Sequence, residues 1–165
     1  MMPAWMYGGA KGQLMRLIKA AAVQALTGLT SDQLREWTSR RHLIVPDEKP
    51  SGPGSRALYS WQTVLLLRLA VVLREKFHVE LTSQKNLFLG LAQKLKNHSF
   101  PALYDSVLVI KPGGEFTLYQ YREYSSFNGD ALVINMNPHL EILSSEFEPS
   151  DESHQFHLFP AIAVK

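Results

Sequence analysis

The chain contains no cysteine, which excludes disulfide bonds, thiolate metal sites and cysteine nucleophiles. It also lacks a long hydrophobic run. The longest, VLLLRLAVVLRE, is interrupted by Arg68 and Arg74 and falls short of the roughly 18 apolar residues that a membrane span needs. Near the N-terminus, lysine and arginine residues interrupt the apolar residues before a signal-peptide core can form. We therefore expect a cytoplasmic protein without a membrane anchor.

Motifs of catalysis and metal binding are absent from the sequence as well. There is no G-x-S-x-G elbow, no Walker loop and no dinucleotide-binding glycine motif. His154 and His157 lie near Asp151 and Glu152, but their spacing fits neither a helical H-E-x-x-H zinc site nor a zinc finger. A solvated tail is the simpler interpretation of these residues. The sequence predicts neither an enzyme nor a cofactor or metal site.

The 165 residues, 45% hydrophobic and 19% charged, have the composition of one ordinary globular domain or two small ones. The charge is distributed unevenly. Residues 1–78 contain 11 Lys or Arg against 5 Asp or Glu, a balance of +6, whereas the remaining residues have a balance of −4. A basic N-terminal half suits contact with a polyanion, and a solvated basic surface without a partner is the alternative.

A helix-turn-helix is predicted near the N-terminus. Apolar spacing predicts a first helix over residues 13–26, and Gly28 tolerates the positive φ that ends one helix and turns the chain into the next. Thr30, followed three residues later by Gln33, is a capping box. A second helix therefore begins at Ser31, and the two helices with their short turn form the motif.

A hairpin and two further helices are predicted next. Residues 43–45 and 56–59 read as short strands joined by a loop rich in proline and glycine. Leucine spacing predicts a helix over 61–76, capped by Ser60, and another near 82–97. The second of these carries a stripe that a partner helix could cover, which makes it the candidate dimerisation surface: Leu87, Leu91 and Leu95.

The composition changes near residue 100. From there to residue 147, β-branched and aromatic residues alternate between Pro-Gly-Gly, Asn-Gly and Asn-Pro turn signals, which predicts three or four antiparallel strands, with one more over 156–164. The expected fold class is α+β. We expect a winged helix-turn-helix domain over 1–80, a connecting or dimerisation helix over 81–99, and a small β-rich domain over 100–165 for dimerisation or sensing.

Four fragments carry a resemblance to a known family: LTG at 26–28, LREW at 34–37, LIVP at 43–46 and SRALYS at 55–60. In this order they resemble the DNA-binding domain of the MerR superfamily, over about residues 20–80. The resemblance implies a winged helix-turn-helix with its second helix in the major groove and its hairpin along the DNA backbone. Three features depart from the family pattern. His42 stands where a glycine is common, and the stretch between Trp37 and Pro46 is one residue longer. The usual long dimerisation coiled coil is absent, and only the short helix with the leucine stripe stands in its place.

The resemblance also implies roles for single residues. Arg35 matches an arginine that reaches DNA, Arg56 and Tyr59 match wing positions that approach phosphate, and Leu34 and Trp37 match positions that pack the helix onto its domain. From chemistry alone, a groove-facing helix needs both cations and hydrogen-bonding side chains. The predicted DNA-binding residues are therefore Ser31, Gln33, Arg35, Arg40, Arg41, Lys49, Arg56 and Tyr59.

The function predicted from these features is that of a nucleoid-associated, sequence-specific transcriptional regulator that binds double-stranded DNA as a homodimer. Its recognition helix spans residues 31–41 and its wing residues 45–58. The alternative is a protein-interaction module, or an architectural or recombination accessory factor, built on the same winged scaffold. The C-terminal region is expected to pair subunits, with an unknown effector or protein partner as the second possibility.

Overall fold

Five α-helices and two small antiparallel sheets make up residues 16–124 and 129–147, the part of the chain that the computed structural model describes. This mixed architecture confirms the predicted α+β class. The elements follow in the order β1 (Ile18–Lys19), α1 (Ala20–Thr27), α2 (Ser31–Arg35), β2 (Leu58–Tyr59), α3 (Trp61–Phe77), α4 (Lys85–Lys96), β3 (Ser106–Ile110), β4 (Phe116–Gln120), β5 (Leu132–Asn135) and α5 (Asn137–Phe147).

The first helix begins later than its apolar pattern predicts. Residues 18–19 are extended and pair with β2 as β1, with Ile18 opposite Tyr59, and residues 16–17 before them are not helical either, so the predicted helix over 13–26 is wrong at residues 16–19. Ile18 is buried there, and a single apolar residue satisfies a helical and an extended pattern equally well. Residues 13–15 lie outside the described part of the chain.

The turn and the second helix start as predicted. Gly28 adopts φ +76° and its N–H donates to the Gln24 carbonyl oxygen at 2.8 Å, which ends α1. Thr30 Oγ1 accepts from the Gln33 backbone N–H at 3.2 Å, and Gln33 Oε1 accepts from the Thr30 N–H at 3.0 Å. This confirms the capping box. After α2 the helix continues over Glu36–Arg40 as one wider π-helical turn.

The hairpin has shorter paired strands than predicted. Residues 43–45 form no strand, because the N–H groups of Leu43 and Ile44 both donate to the Trp37 carbonyl oxygen and so terminate the preceding helix. The hairpin is instead closed by an antiparallel bridge between Glu48 and Leu58, at the start of β2. We call residues 45–58 the wing.

Helix α3 is the central element of the core. It begins as predicted at Ser60, whose Oγ accepts from the Thr63 N–H, and it packs against α1, α4 and α5. The predicted following helix is also confirmed, as a short 3-10 turn over Thr82–Gln84 followed by α4. The leucine stripe of α4 is 4%, 2% and 1% exposed at Leu87, Leu91 and Leu95. These side chains lie in the chain's own core, so they offer no surface to a second subunit.

The C-terminal sheet has the order β4-β3-β5, and both pairings are antiparallel. The strands predicted between residues 106 and 135 are confirmed, but residues 137–147 form α5 and not a strand. Pro138 suits the first turn of a helix, where no N–H partner is needed, and Leu140 and Leu143 are fully buried at helical spacing. The strand predicted over 156–164 lies outside the described residues.

One hydrophobic core joins the two halves of the described chain. Leu108 and Ile110 of β3 belong to the same buried cluster as the leucines of α3. Gly90 of α4 permits this close packing, since a Cβ atom there would lie 2.8 Å from Cε1 of Phe116 in β4. The described residues of the three predicted segments, 1–80, 81–99 and 100–165, therefore contribute to one core. Among the residues that the structure describes, no helix combines the length and apolarity needed to traverse a bilayer.

His139 of α5 is an ionisable group inside this core. The residue is 9% exposed, and its Nδ1 atom has no hydrogen-bond partner among the described residues. Burial, together with the positive charges of Arg68 and Lys76 on α3, which act in the same direction, lowers the pKa of His139 to about 4. The imidazole is therefore neutral in the folded protein at neutral pH.

This histidine should make stability depend on pH. Between about pH 6.5, the ordinary pKa of histidine, and pH 4, the unfolded chain binds a proton that the folded chain does not, so the free energy of unfolding decreases as pH falls. We expect a contribution of about 2 kcal/mol to be lost between pH 7 and 4.5. In His139→Leu this component should be missing. Urea denaturation of both proteins across this pH range tests it, and equal losses would contradict the assignment.

Candidate nucleic-acid interface

The second helix separates a buried side from an exposed side. Leu34, Trp37 and Thr38 are 3%, 5% and 2% exposed and fix the helix to the core, as the resemblance implies for the first two. Arg74 of α3 adds a cation–π contact, with its guanidinium carbon 5.6 Å from the Trp37 ring centroid. The outward side carries the exposed predicted residues Ser31, Arg35, Arg40 and Arg41, whereas Gln33 is half-buried in the capping box.

Tyr59 is buried, although a contact with DNA phosphate would require it to be on the surface. The residue is 3% exposed, burial raises the pKa of its phenol, and its hydroxyl forms a side-chain hydrogen bond with Thr38. Thr38 Oγ1 in turn donates to the Leu34 carbonyl oxygen at 2.7 Å. Tyr59 thus joins β2 to the back of the second helix, and its predicted role at the DNA backbone is corrected to a packing role.

The wing is fixed at its base by Asp47. One carboxylate oxygen, Oδ2, accepts from the Ser60 backbone N–H at 2.7 Å and from the Thr63 hydroxyl at 2.7 Å. Both donors lie at the N-terminus of α3, where a negative charge is also favourable to the helix dipole. These bonds attach the N-terminal arm of the wing to the start of α3.

The wing tip is closed by a serine. Ser55 Oγ accepts from the backbone N–H groups of Ser51 and Gly52 at 2.7 and 2.9 Å and donates to the Gly52 carbonyl oxygen at 2.7 Å. Lys49 and Arg56 are exposed on either arm of the loop. The wing therefore presents two cations on a hydrogen-bonded frame.

The cations of the surface fall into two groups. Within the described residues, Arg35, Lys49 and Arg56 belong to no ion pair, whereas Arg40 and Arg41 both pair with Glu36. Arg41 also donates to Thr82 Oγ1 at 3.1 Å, which connects the second helix to the start of α4. No protein-family model matches this chain, and no curated protein is similar to it in sequence. The function must therefore be argued from these residues.

The structure places Lys49 and Arg56 on the wing and buries Tyr59, and the other predicted residues lie on the second helix or at its end: Ser31, Gln33, Arg35, Arg40 and Arg41. His42, in the position where the family commonly has glycine, adopts φ +49°, in the left-handed region that glycine favours. No group of three or more histidine, aspartate or glutamate residues in the described ranges is arranged to hold a metal ion.

Two residues of the site were missed from sequence: Asp47 as the wing clamp and Glu36 as the partner of two arginines. The first left a signal, since an acidic residue preceding a hairpin and a Ser-x-x-Thr helix start is a candidate acceptor for the helix N-terminus. The pair of Glu36 with Arg40 also left a signal, since residues four apart are neighbours on a helix. Only the contact of Glu36 with Arg41 depends on the π-helical turn, for which the sequence shows no pattern.

Removing the Asp47 carboxylate should loosen the wing. In Asp47→Ala the buried Ser60 N–H loses its acceptor, which we expect to cost about 1–3 kcal/mol. Trypsin should then cleave after Arg56 faster than in the wild type. Glu48→Ala is the matched control, because it removes a neighbouring exposed acid whose hydrogen bonds to other described residues are all made by its backbone. Equal cleavage rates in the two variants would contradict the clamp.

Proposed function

We propose that this protein is a sequence-specific double-stranded DNA-binding transcriptional regulator with a MerR-like winged helix-turn-helix. In this proposal the exposed side of residues 31–41 enters the major groove, and the wing, residues 45–58, follows the phosphate backbone. The major groove admits an α-helix and displays a distinct pattern of donors and acceptors for each base pair. Phosphate contacts from the wing supply affinity and register but no sequence information.

One observation carries this proposal: on the side opposite to its buried Leu34 and Trp37, the capping-box helix presents the exposed Arg35, which has no ion pair among the residues that the structure describes. An arginine without an intramolecular partner is able to bind a guanine edge with two parallel hydrogen bonds. The wing supports the same proposal with the exposed cations Lys49 and Arg56. All three lie in the basic half of the chain, whose balance is +6.

A homodimer belongs to the proposal, because two recognition helices one duplex turn apart raise site affinity. The leucine stripe of α4 is buried within one chain. The subunit contact must therefore lie elsewhere on the surface.

The test is fluorescence anisotropy of the full chain against genomic DNA fragments from its source and against random duplex, over a salt series. We expect selected fragments to bind at least about 1,000-fold more tightly than random duplex. The logarithm of affinity should fall linearly with the logarithm of salt concentration. Lack of any duplex affinity at low salt would overturn the proposal, as would equal affinity for all fragments.

A further inference from the structure

Glu36 lies between two arginines of the predicted recognition helix. Its Oε1 atom is 2.7 Å from Arg41 Nε, and its Oε2 atom is 3.3 Å from Arg40 Nη1. Each oxygen of the carboxylate therefore pairs with a different arginine. Hydrogen bonds from Arg41, and then from Arg40, lower the pKa of Glu36, so the group is fully charged at neutral pH.

The π-helical turn explains how one carboxylate reaches both arginines. In an α-helix, residues four apart are neighbours on the surface, but residues five apart are not. Here the Arg41 N–H donates to the Glu36 carbonyl oxygen at 2.9 Å, a bond between residues i and i+5. This wider turn places Arg41 beside Glu36 as well as Arg40.

The second contact of Arg41 fixes the pair in place. Its Nη1 atom donates to Thr82 Oγ1, in the 3-10 turn that precedes α4, and that turn is itself held by Glu80. The Glu80 carboxylate accepts from the Thr82 and Ser83 backbone N–H groups at 2.9 and 2.8 Å. Arg41 thus has two partners inside the protein, while Arg35, one turn earlier, has no ion-pair partner among the described residues.

We propose that Glu36 withholds Arg40 and Arg41 from DNA phosphates, so that this surface binds random duplex weakly and depends on Arg35 for its base contact. The inference rests on the proposed function and concerns its regulation. A phosphate must displace Glu36 before either arginine can bind it, and an arginine that remains paired contributes no counterion release. Glu36 therefore lowers non-specific affinity, which raises the ratio of specific to non-specific binding.

The test compares Glu36→Gln with Asp32→Asn on a random-sequence duplex over a salt series. Both variants remove one negative charge from the same helix, but Asp32 is an exposed first-turn residue outside every ion pair of the described chain. Each arginine that becomes available should steepen the plot of log affinity against log salt by about 0.9. We expect Glu36→Gln to steepen it by about 1 to 2 and to bind random duplex about 3- to 10-fold more tightly. Asp32→Asn should leave the slope unchanged.

A second measurement needs no DNA. In ¹⁵N-labelled protein, the Arg41 Nε–H resonance should move in Glu36→Gln and stay in place in Asp32→Asn; an unmoved signal in Glu36→Gln would overturn the pairing. If the wild type binds duplex and the two variants have equal slopes, the inference fails while the proposed function stands. If none of the three proteins binds duplex at low salt, the proposed function fails and the inference fails with it.

Discussion

Replacing Arg35 with alanine should lower the discrimination between a selected DNA site and random duplex by about 5- to 150-fold, which corresponds to about 1–3 kcal/mol. Arg35 is exposed on the outward side of the capped helix and has no ion pair within the described residues. In the proposed complex, its loss removes two parallel hydrogen bonds to a base edge, whereas random duplex loses one phosphate contact at most. Competition anisotropy with selected and random fragments measures the ratio directly.

Arg35→Lys separates base recognition from charge. Lysine keeps the positive charge but not the planar, two-pronged donor geometry of the guanidinium. We expect Arg35→Lys to bind random duplex nearly as the wild type does and to lose most of the discrimination. If both Arg35 variants weaken selected and random fragments by the same factor, Arg35 contacts phosphate only and does not read sequence.

Replacing Leu91 with alanine should decrease the free energy of unfolding by about 2–5 kcal/mol. Leu91 is 2% exposed in the middle of α4, between Leu87 and Leu95, and the three leucines belong to the same core as α3. Truncation removes apolar contact and leaves a cavity in a close-packed interior. For a chain of 165 residues we expect the Tm to fall by about 5–15 °C, measured by circular dichroism.

Leu89→Ala is the matched control on the same helix. Leu89 is 49% exposed, so its truncation should change stability by no more than about 0.5 kcal/mol. Protein concentration distinguishes a core position from a subunit contact, because the Tm of an obligate dimer rises with concentration. We expect the Tm deficit of Leu91→Ala to stay constant between micromolar and tenfold higher concentration. If the Tm deficit of Leu91→Ala is smaller at the higher concentration, the leucine stripe forms a subunit interface after all.

The sequence alone determined the parts of the fold that depend on neighbouring residues. The capping box at Thr30 and Gln33, the left-handed turn at Gly28 and the Ser60 cap of α3 are each made by residues within a few positions of one another. Local hydrogen bonds and backbone φ preferences require no distant contact. The helices α3 and α4 were predictable for a related reason, since their leucine spacing follows the period of a helix.

Sequence reasoning failed where distant contacts select between two local structures. Residues 18–19 fit a helical pattern but form β1, because β2 lies beside them and pairs with them. Residues 137–147 belong to a region predicted as strands but form α5, whose Leu140 and Leu143 are buried in the core around α3. In both places the local pattern suits two structures, and the choice depends on which surface is available for burial.

Some features of the candidate site were likewise predictable from the sequence, and others were not. The exposed Arg35 and the wing cations Lys49 and Arg56 followed from the sequence, because helix phase and turn residues place them on the outside. Only the tertiary structure showed which predicted residues already have partners inside the protein. Tyr59 points inward to Thr38, and Glu36 pairs with both Arg40 and Arg41 at a π-helical turn. The sequence showed that the leucine stripe of α4 is apolar, but only the structure showed that it packs against α3. A side chain's type fixes which contacts it is able to make, and the packing of elements distant in sequence decides which of them form.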